Sequence, residues 1–251
     1  MTSVTQRIRQ IKQPRGGYIK PKEFTKIKIE DDIQLNEKEN IHSNLIGLAV
    51  DYMTRYSNGT SIYEAFKISL MGARIIGETK FAEKLLNEIK GLDDHSISNA
   101  CKLVGYDVCF RVGVIGYKSV KTIEPDIDTI ENIRNMILRS LKFIENYGPI
   151  TLDGFTFIGG YTNTISAGDG DFLTESTLWD FKVSVKQPNN THTLQLLIYY
   201  LMGMKSVNKD NFNKLKNLGI FNPRLNTVYL LEINKISDEV IKEVSEKVIG
   251  Y

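Results

Sequence analysis

The stretch that decides the fold of this 251-residue chain reads GDGDFLTESTLWDFK and runs from Gly168 to Lys182. Its second half has the alternation of a β-strand, in which successive side chains point to opposite faces of a sheet. Asp180 and Lys182 would therefore share one face. Trp179 and Phe181 would point the other way, into apolar packing.

The first half of the same stretch predicts a second strand, antiparallel to the first. A tight turn around Glu175 and Ser176 would place Asp171 beside Asp180 on the same face of the hairpin. Two carboxylates and the ammonium group of Lys182 would then converge within a few ångströms. This convergence makes the hairpin the candidate functional site.

The chemistry of these groups favours a divalent cation. Two adjacent carboxylates repel each other unless a cation lies between them, and oxygen ligands suit Mg²⁺ or Mn²⁺. The main-chain carbonyl of Phe181, between Asp180 and Lys182, could add a further oxygen ligand, and such a site suits phosphodiester hydrolysis. The simpler interpretation of so short a motif is structural: Lys182 only pairs with Asp180 or Glu175 at a sheet edge.

A second motif follows the hairpin. Gln195 and Tyr199 form Q-x-x-x-Y on a helix, and together with D-x8-D-x-K this arrangement resembles the PD-(D/E)xK nuclease superfamily, particularly its RecB-like branch. The resemblance implies a restriction-endonuclease-like α/β fold, a mixed sheet flanked by helices. It implies metal binding by Asp171 and Asp180, catalysis by Lys182, and a supporting catalytic role for Gln195 and Tyr199.

The resemblance extends to a helix further upstream. RecB-like nucleases often carry G-x-x-x-H on the first core helix, and here Gly47 and Asp51 have that spacing with aspartate in the last position. Asp51 is therefore a candidate third metal ligand, and Glu64 is a reserve candidate. Equally open is a surface ion pair between Asp51 and Arg55, four residues apart on one helical face.

Charge is distributed unevenly along the chain. The chain has 32 basic and 30 acidic residues, a net charge of +2, but residues 1–29 hold eight basic residues and one acidic residue. Glycine and proline make a long helix improbable there. We therefore predict a basic N-terminal arm over residues 1–38, which is either solvated or in contact with phosphates.

The rest of the chain divides into a helical region and a sheet region. Residues 39–147 are predicted to be mostly helical and to include the first core helix, and residues 148–251 to form the catalytic core. Strands are predicted from the Thr, Ile, Phe and Val content and from the glycine punctuation. The helices are predicted at Ser61–Ile76, Lys80–Lys90, Ile97–Arg111, Thr129–Asn146, Leu194–Met204 and Ser237–Val248, and the strands at Ile150–Ile158, Tyr161–Ala167, Asp171–Thr174, Thr177–Val185 and Thr227–Ile233.

One connection has a predicted direction. The strands Thr177–Val185 and Thr227–Ile233, with the helix between them, read as a β-α-β unit whose strands are parallel. No segment approaches the roughly 20 apolar residues that span a bilayer, so we expect no membrane partner and a cytoplasmic location. The two cysteines and three histidines match no zinc spacing.

These observations predict a Mg²⁺- or Mn²⁺-dependent nuclease that hydrolyses DNA. RNA remains an alternative substrate, with a defence-associated effector as the setting. A different class is also open, namely a non-catalytic nucleic-acid-binding or interaction module on the same fold. The sequence leaves open whether the chain forms a homodimer or binds another protein.

Overall fold

The computed structural model describes residues 2–251, which form two compact units. One unit, here called the sheet unit, contains residues 2–30 and 144–251. The other, the helical unit, contains residues 31–143. Each unit is described by itself.

The regular elements are as follows. The strands are β1 (Thr25–Lys28), β2 (Leu152–Thr156), β3 (Asp169–Leu173), β4 (Thr177–Phe181), β5 (Asn217–Asn222) and β6 (Thr227–Glu232). The α-helices are α1 (Val4–Gln10), α2 (Ser43–Ser57), α3 (Ile62–Ala65), α4 (Lys67–Ile75), α5 (Thr79–Asn87), α6 (Asp94–Val104), α7 (Asp107–Arg111), α8 (Ile127–Tyr147), α9 (Asn190–Gly203), α10 (Lys209–Phe212) and α11 (Asp238–Glu243). A π-helix over Val244–Ile249 continues α11.

The sheet unit is built on one six-stranded mixed sheet with the order β1-β6-β5-β4-β3-β2, flanked by helices. The strands β2, β3 and β4 form an antiparallel meander. β4 is parallel to β5, and β5 is antiparallel to β6. The fold is therefore α/β, and the hairpin strand β4 lies in the middle of the sheet.

The predicted β-α-β unit is correct in kind but wrong in its second strand. The helix α9 leads from β4 to β5, which is parallel to β4; the residues of β5 had been predicted as a loop. The strand β6, predicted as the parallel partner, runs antiparallel to β5. Asparagine and glycine in the β5 sequence NLGIFN read as turn signals. Gly219 has a packing reason instead, because a Cβ there would lie 2.3 Å from the Trp179 ring.

The strand predicted over Tyr161–Ala167 is also wrong. The Thr162 hydroxyl accepts hydrogen bonds from the main-chain N–H groups of Thr164 and Ile165, and Thr162 N–H donates to the Ile165 carbonyl. These local bonds give the backbone an alternative to a strand ladder. The segment therefore forms turns, although its composition is typical of a strand.

The core of the sheet unit lies between α9 and one face of the sheet. Leu178 of β4, Ile220 of β5 and Tyr229 of β6 belong to this buried cluster, together with much of α9. The strand registers pair Asp180 with Ile220, and Ile220 with Tyr229. Asp180 therefore points to the face that α9 covers, whereas Trp179 packs on the opposite face against Tyr147.

The N-terminal residues 2–30 are folded into this unit and do not form the solvated arm considered above. Val4, Ile8, Ile19 and Phe24 are buried in the core of the sheet unit, and β1 pairs with β6. Arg7 donates to main-chain carbonyls near the C-terminus of the chain. Burial of four large apolar side chains fixes the segment, while its other basic residues are exposed, namely Arg9, Lys12, Arg15, Lys20, Lys22, Lys26 and Lys28.

The helical unit contains α2 to α7 and most of α8. Two helices that the sequence predicted as continuous are interrupted: Ser61–Ile76 divides at Phe66, and Ile97–Arg111 divides at Gly105. The latter holds both cysteines, which are buried and free, in agreement with the prediction of packed thiols. In the part of the chain that the structure describes, no helix is long and apolar enough to cross a bilayer.

Candidate metal and nuclease site

The hairpin register places Asp171 and Asp180 side by side. Phe172 pairs with Trp179 and Leu173 with Leu178 across the antiparallel strands β3 and β4. One step further along this register, Asp171 lies opposite Asp180. Directly opposed residues of an antiparallel pair project from the same face, so the two carboxylates lie on one side of the sheet, as the turn around Glu175 and Ser176 had predicted.

Asp180 is a buried carboxylate with one oxygen engaged and one without a partner. Asp180 is 1% exposed, and Lys182 Nζ lies 2.9 Å from Asp180 Oδ1. No hydrogen-bond partner for Oδ2 occurs among residues 2–251. Lys182 is 25% exposed, so its ammonium group lies between the buried acid and solvent.

Asp171 organises the main chain at the end of β4. Its Oδ2 accepts a hydrogen bond of 2.6 Å from the Phe181 N–H. In an extended strand, the N–H and C=O of one residue point to the same side, and the next residue points to the other. The Phe181 carbonyl thus faces the β3 side, where Asp171 lies, while Lys182 N–H donates to Phe221 of β5.

The helix α9 presents Gln195 and Tyr199 to this site. Gln195 Nε2 donates to the Tyr199 hydroxyl over 2.8 Å, and both residues are buried. Burial raises the pKa of Tyr199, and the negative charges of Asp180 and Asp171 raise it further. The two motifs of the sequence therefore act on each other electrostatically within one unit.

His192, in the first turn of α9, lies near this site; from the sequence alone it is only one of several residues around the helix that could touch phosphates, together with Lys186, Lys205 and Lys209. Burial lowers the pKa of His192, the positive charge of Lys182 lowers it further, and the negative charge of Asp180 opposes both. A sequence signal was available, because His192, Gln195 and Tyr199 follow one another at intervals of three and four residues and so form one helical stripe.

A buried asparagine fixes the segment that follows Lys182. Asn222, at the end of β5, is 1% exposed and donates to the Ser184 carbonyl over 2.8 Å. Its Oδ1 accepts from the N–H groups of Arg224 and Leu225. This side chain ties the loop after β4 to the turn before β6, and it thereby restricts where Lys182 can lie.

Asp51 lies elsewhere in the chain. It is in α2 of the helical unit, and the reserve candidate Glu64 is in α3 of the same unit. The role of Asp51 as a third ligand stays a prediction. Across residues 2–251, no group of three or more His, Cys, Asp or Glu side chains is arranged to hold a metal ion.

The donor atoms of the hairpin nevertheless fit a hard divalent cation. Asp171, Asp180 and the Phe181 carbonyl offer only oxygen, the ligand type that Mg²⁺ and Mn²⁺ prefer. Burial of a carboxylate oxygen without a partner costs free energy. A cation held at Asp180 Oδ2 would offset that cost, so the orphaned oxygen is the observation that makes the fit specific.

The resemblance to the PD-(D/E)xK superfamily stays a prediction from the motifs quoted above. A comparison of the chain with protein-family models, with curated protein sequences and with solved structures finds no match.

Proposed function

We propose that this protein is a metal-dependent nuclease with a restriction-endonuclease-like core, which hydrolyses DNA phosphodiester bonds at the β3–β4 hairpin. The observation that carries the proposal is the state of Asp180. It is buried beneath α9, opposed by Asp171 and joined to Lys182, and its Oδ2 has no partner within the described residues. A purely structural ion pair does not account for that oxygen.

Asp171, Asp180 and the Phe181 carbonyl would hold one or two Mg²⁺ or Mn²⁺ ions. When bound, such an ion polarises a phosphoryl oxygen and makes a water molecule more acidic. Asp171 also holds the end of β4 through the Phe181 N–H. That hydrogen bond fixes the Asp171 carboxylate on the β3 side of β4, the side that the Phe181 carbonyl faces.

Lys182 would act on the reacting groups directly. Its Nζ is anchored 2.9 Å from Asp180 Oδ1 and is partly exposed to solvent. An ammonium group so placed can orient the hydrolytic water and stabilise negative charge that develops on the phosphate. Gln195 and Tyr199, joined by their hydrogen bond, would support this arrangement from α9.

The sheet unit carries exposed positive side chains that could contact a DNA backbone. Seven of the eight basic residues among the first 29 are exposed, although the segment is folded. Lysine and arginine contacts to phosphates hold a nucleic acid without reading its sequence, and they release counterions. We therefore expect binding that weakens steeply as the salt concentration rises.

The test is a cleavage panel. Purified protein is incubated with single-stranded, double-stranded and branched DNA and with RNA, with Mg²⁺, with Mn²⁺ or with EDTA. The wild type is compared with Lys182→Ala, and with Lys186→Ala as a matched control, because Lys186 is an exposed lysine of the following loop. We expect metal-dependent cleavage that Lys182→Ala lowers by about 10²-fold or more and that Lys186→Ala retains.

Three results would count against the proposal. The wild type would cut none of the substrates, Lys182→Ala would cut as well as the wild type, or cleavage would be indifferent to EDTA. Binding of DNA without cleavage at any metal concentration would instead identify a non-catalytic nucleic-acid-binding module. Cleavage of RNA alone would keep the chemistry and change the substrate.

A further inference from the structure

We infer that His192 is a substrate-contacting residue of the proposed nuclease site, and that its Nε2–H donates a hydrogen bond to a phosphate oxygen of the bound strand. The inference rests on the proposed function for the identity of the substrate. It adds a residue that neither the hairpin motif nor Q-x-x-x-Y contains. Four observations on α9 and its surroundings carry it.

The first observation is the direction of α9. The strands β4 and β5 are parallel and neighbouring, so the helix between them must run back along β4 to return the chain to the start of β5. The first turn of α9 therefore lies towards the end of β4 where Lys182 follows. Tyr199, two turns later, lies further back along the strand.

The second observation is the shared stripe. His192, Gln195 and Tyr199 fall at i, i+3 and i+7, and such residues lie on one face of a helix. The charges of Asp180 and Asp171 act on Tyr199, to which Gln195 is hydrogen-bonded, and the charges of Lys182 and Asp180 both act on the imidazole ring. His192 is thus the member of the stripe nearest the outer end of the site.

The third observation fixes the proton on the ring. The main-chain N–H of Asn189 donates to His192 Nδ1, while the Asn189 side chain accepts from the His192 N–H in return. A nitrogen that accepts a hydrogen bond carries no proton, so the neutral ring has its proton on Nε2. The helix cap therefore leaves a donor at the far side of the ring and sets the orientation of that ring.

The fourth observation is the partial exposure of two groups beside the buried acid. Asp180 is 1% exposed, whereas Lys182 is 25% exposed and His192 is half-buried. Lys182 and His192 are therefore both accessible to a ligand that approaches the carboxylates. A phosphate on that approach would meet Lys182 and the His192 N–H, a cation and a neutral donor that both suit an anionic oxygen.

Two substitutions separate the proposed contact from the helix cap. His192→Asn retains an acceptor near the position of Nδ1 but has no group that reaches the position of Nε2, whereas His192→Gln retains an N–H donor there. Binding of a fluorescently labelled DNA oligonucleotide in EDTA is measured by anisotropy, so that no cleavage occurs. We expect His192→Asn to weaken binding about tenfold, equivalent to about 1.4 kcal/mol. We expect His192→Gln to retain most of the affinity, because glutamine keeps an N–H donor for the charged oxygen.

A second measurement covers the case in which Gln does not reproduce the contact. A series of oligonucleotides, each with one phosphate replaced by an uncharged methylphosphonate, is bound to the wild type and to His192→Asn. At one position the methylphosphonate should weaken binding to the wild type and leave binding to His192→Asn nearly unchanged, because the two changes remove the same interaction. Unfolding temperatures of all variants should stay close to that of the wild type.

Two results would overturn the inference. The wild type could bind no oligonucleotide, or the effects of His192→Asn and of every methylphosphonate could simply add. These results are distinguishable from failure of the nuclease proposal. A protein that cuts DNA while His192→Asn binds as tightly as the wild type would lose only the His192 contact, and one that never cuts DNA but shows the coupling would keep it.

Discussion

Two aspartates of this protein are equally buried but differ in how fully their carboxylate oxygens are hydrogen-bonded. Asp180 in the sheet unit and Asp107 in the helical unit are each 1% exposed. Both oxygens of Asp107 are engaged: Ser69 donates to Oδ1 over 2.5 Å, and Tyr52 donates to Oδ2 over 2.6 Å. Asp180 has Lys182 on one oxygen and no partner on the other among the described residues.

The difference separates a carboxylate that serves the fold from one that is available to the proposed site. The Asp107 network also includes Arg111, whose Nε lies 3.5 Å from Oδ2, so the buried charge is both paired and hydrogen-bonded. Such a network is satisfied by the protein alone. The open oxygen of Asp180 is a defect by the same standard, and proteins tolerate such defects where function requires them.

The largest expected effects come from the same substitution at both positions. Asp180→Asn should lower the cleavage rate by about 10²- to 10³-fold and should leave the free energy of unfolding unchanged or raise it, because a buried charge is removed. Asp107→Asn should lower the free energy of unfolding by about 1–3 kcal/mol, because an amide NH₂ then faces a hydroxyl donor. Initial cleavage rates and urea unfolding curves measure the two quantities.

Each substitution serves as the control for the other. The proposed contrast between the two acids is wrong if Asp180→Asn unfolds at a much lower urea concentration than the wild type, since the Asp180 carboxylate would then be structural. It is equally wrong if Asp107→Asn is as stable as the wild type. Cleavage by Asp107→Asn is measured without urea, at a temperature at which the variant is folded.

A smaller effect is expected from the hydroxyl of Tyr52. Tyr52→Phe removes the donor 2.6 Å from Asp107 Oδ2 and leaves that oxygen with Arg111 at 3.5 Å. We expect a loss of about 1–2 kcal/mol in the free energy of unfolding, the cost of an incompletely satisfied buried acceptor. Tyr63→Phe is the matched control in the same unit, because Tyr63 is 53% exposed, and it should change stability by less than about 0.5 kcal/mol. Equal values for the two variants would show that the network adds nothing.

The part of the fold that the sequence predicted is the part governed by local rules. The hairpin β3–β4 and the helix α9 follow from alternation, turn residues and helical spacing between neighbouring residues, and so does the opposition of Asp171 and Asp180. The strand β5 was missed because its glycine, Gly219, reads as a turn signal. The reason for this glycine is the close approach of the Trp179 ring, which belongs to a residue distant in sequence. Local patterns carry no information about such a contact.

The N-terminal segment and His192 show the same limit. The apolar residues Val4, Ile8, Ile19 and Phe24 stand among basic neighbours in the sequence, yet all four are buried in the core of the sheet unit with residues far along the chain. The stripe that contains His192 was present in the sequence. Its role could not be judged from the sequence, because the hydrogen bond from Asn189 that orients the ring and the burial of Asp180 appear only in the structure.

The smallest expected effect is a pH dependence that reports the burial of Asp107. Burial raises the pKa of Asp107 above its usual value of 3.8, and the hydrogen bonds from Ser69 and Tyr52 and the charge of Arg111 lower it in part. A carboxyl group whose pKa is higher in the folded state binds its proton more tightly there. Its contribution to stability is therefore complete below about pH 3.8 and is lost as the pH rises through the folded-state pKa.

The difference in free energy of unfolding between the wild type and Asp107→Asn isolates this contribution, because asparagine does not titrate and all other groups are common to both proteins. Urea unfolding at a series of pH values from about 3 upwards should show that difference falling as the pH rises. A difference that rises with pH would mean that Arg111 and the two hydroxyl groups outweigh burial. Asp107 would then be stabilised as an anion by its network, and its contrast with the open oxygen of Asp180 would be greater than the structure alone implies.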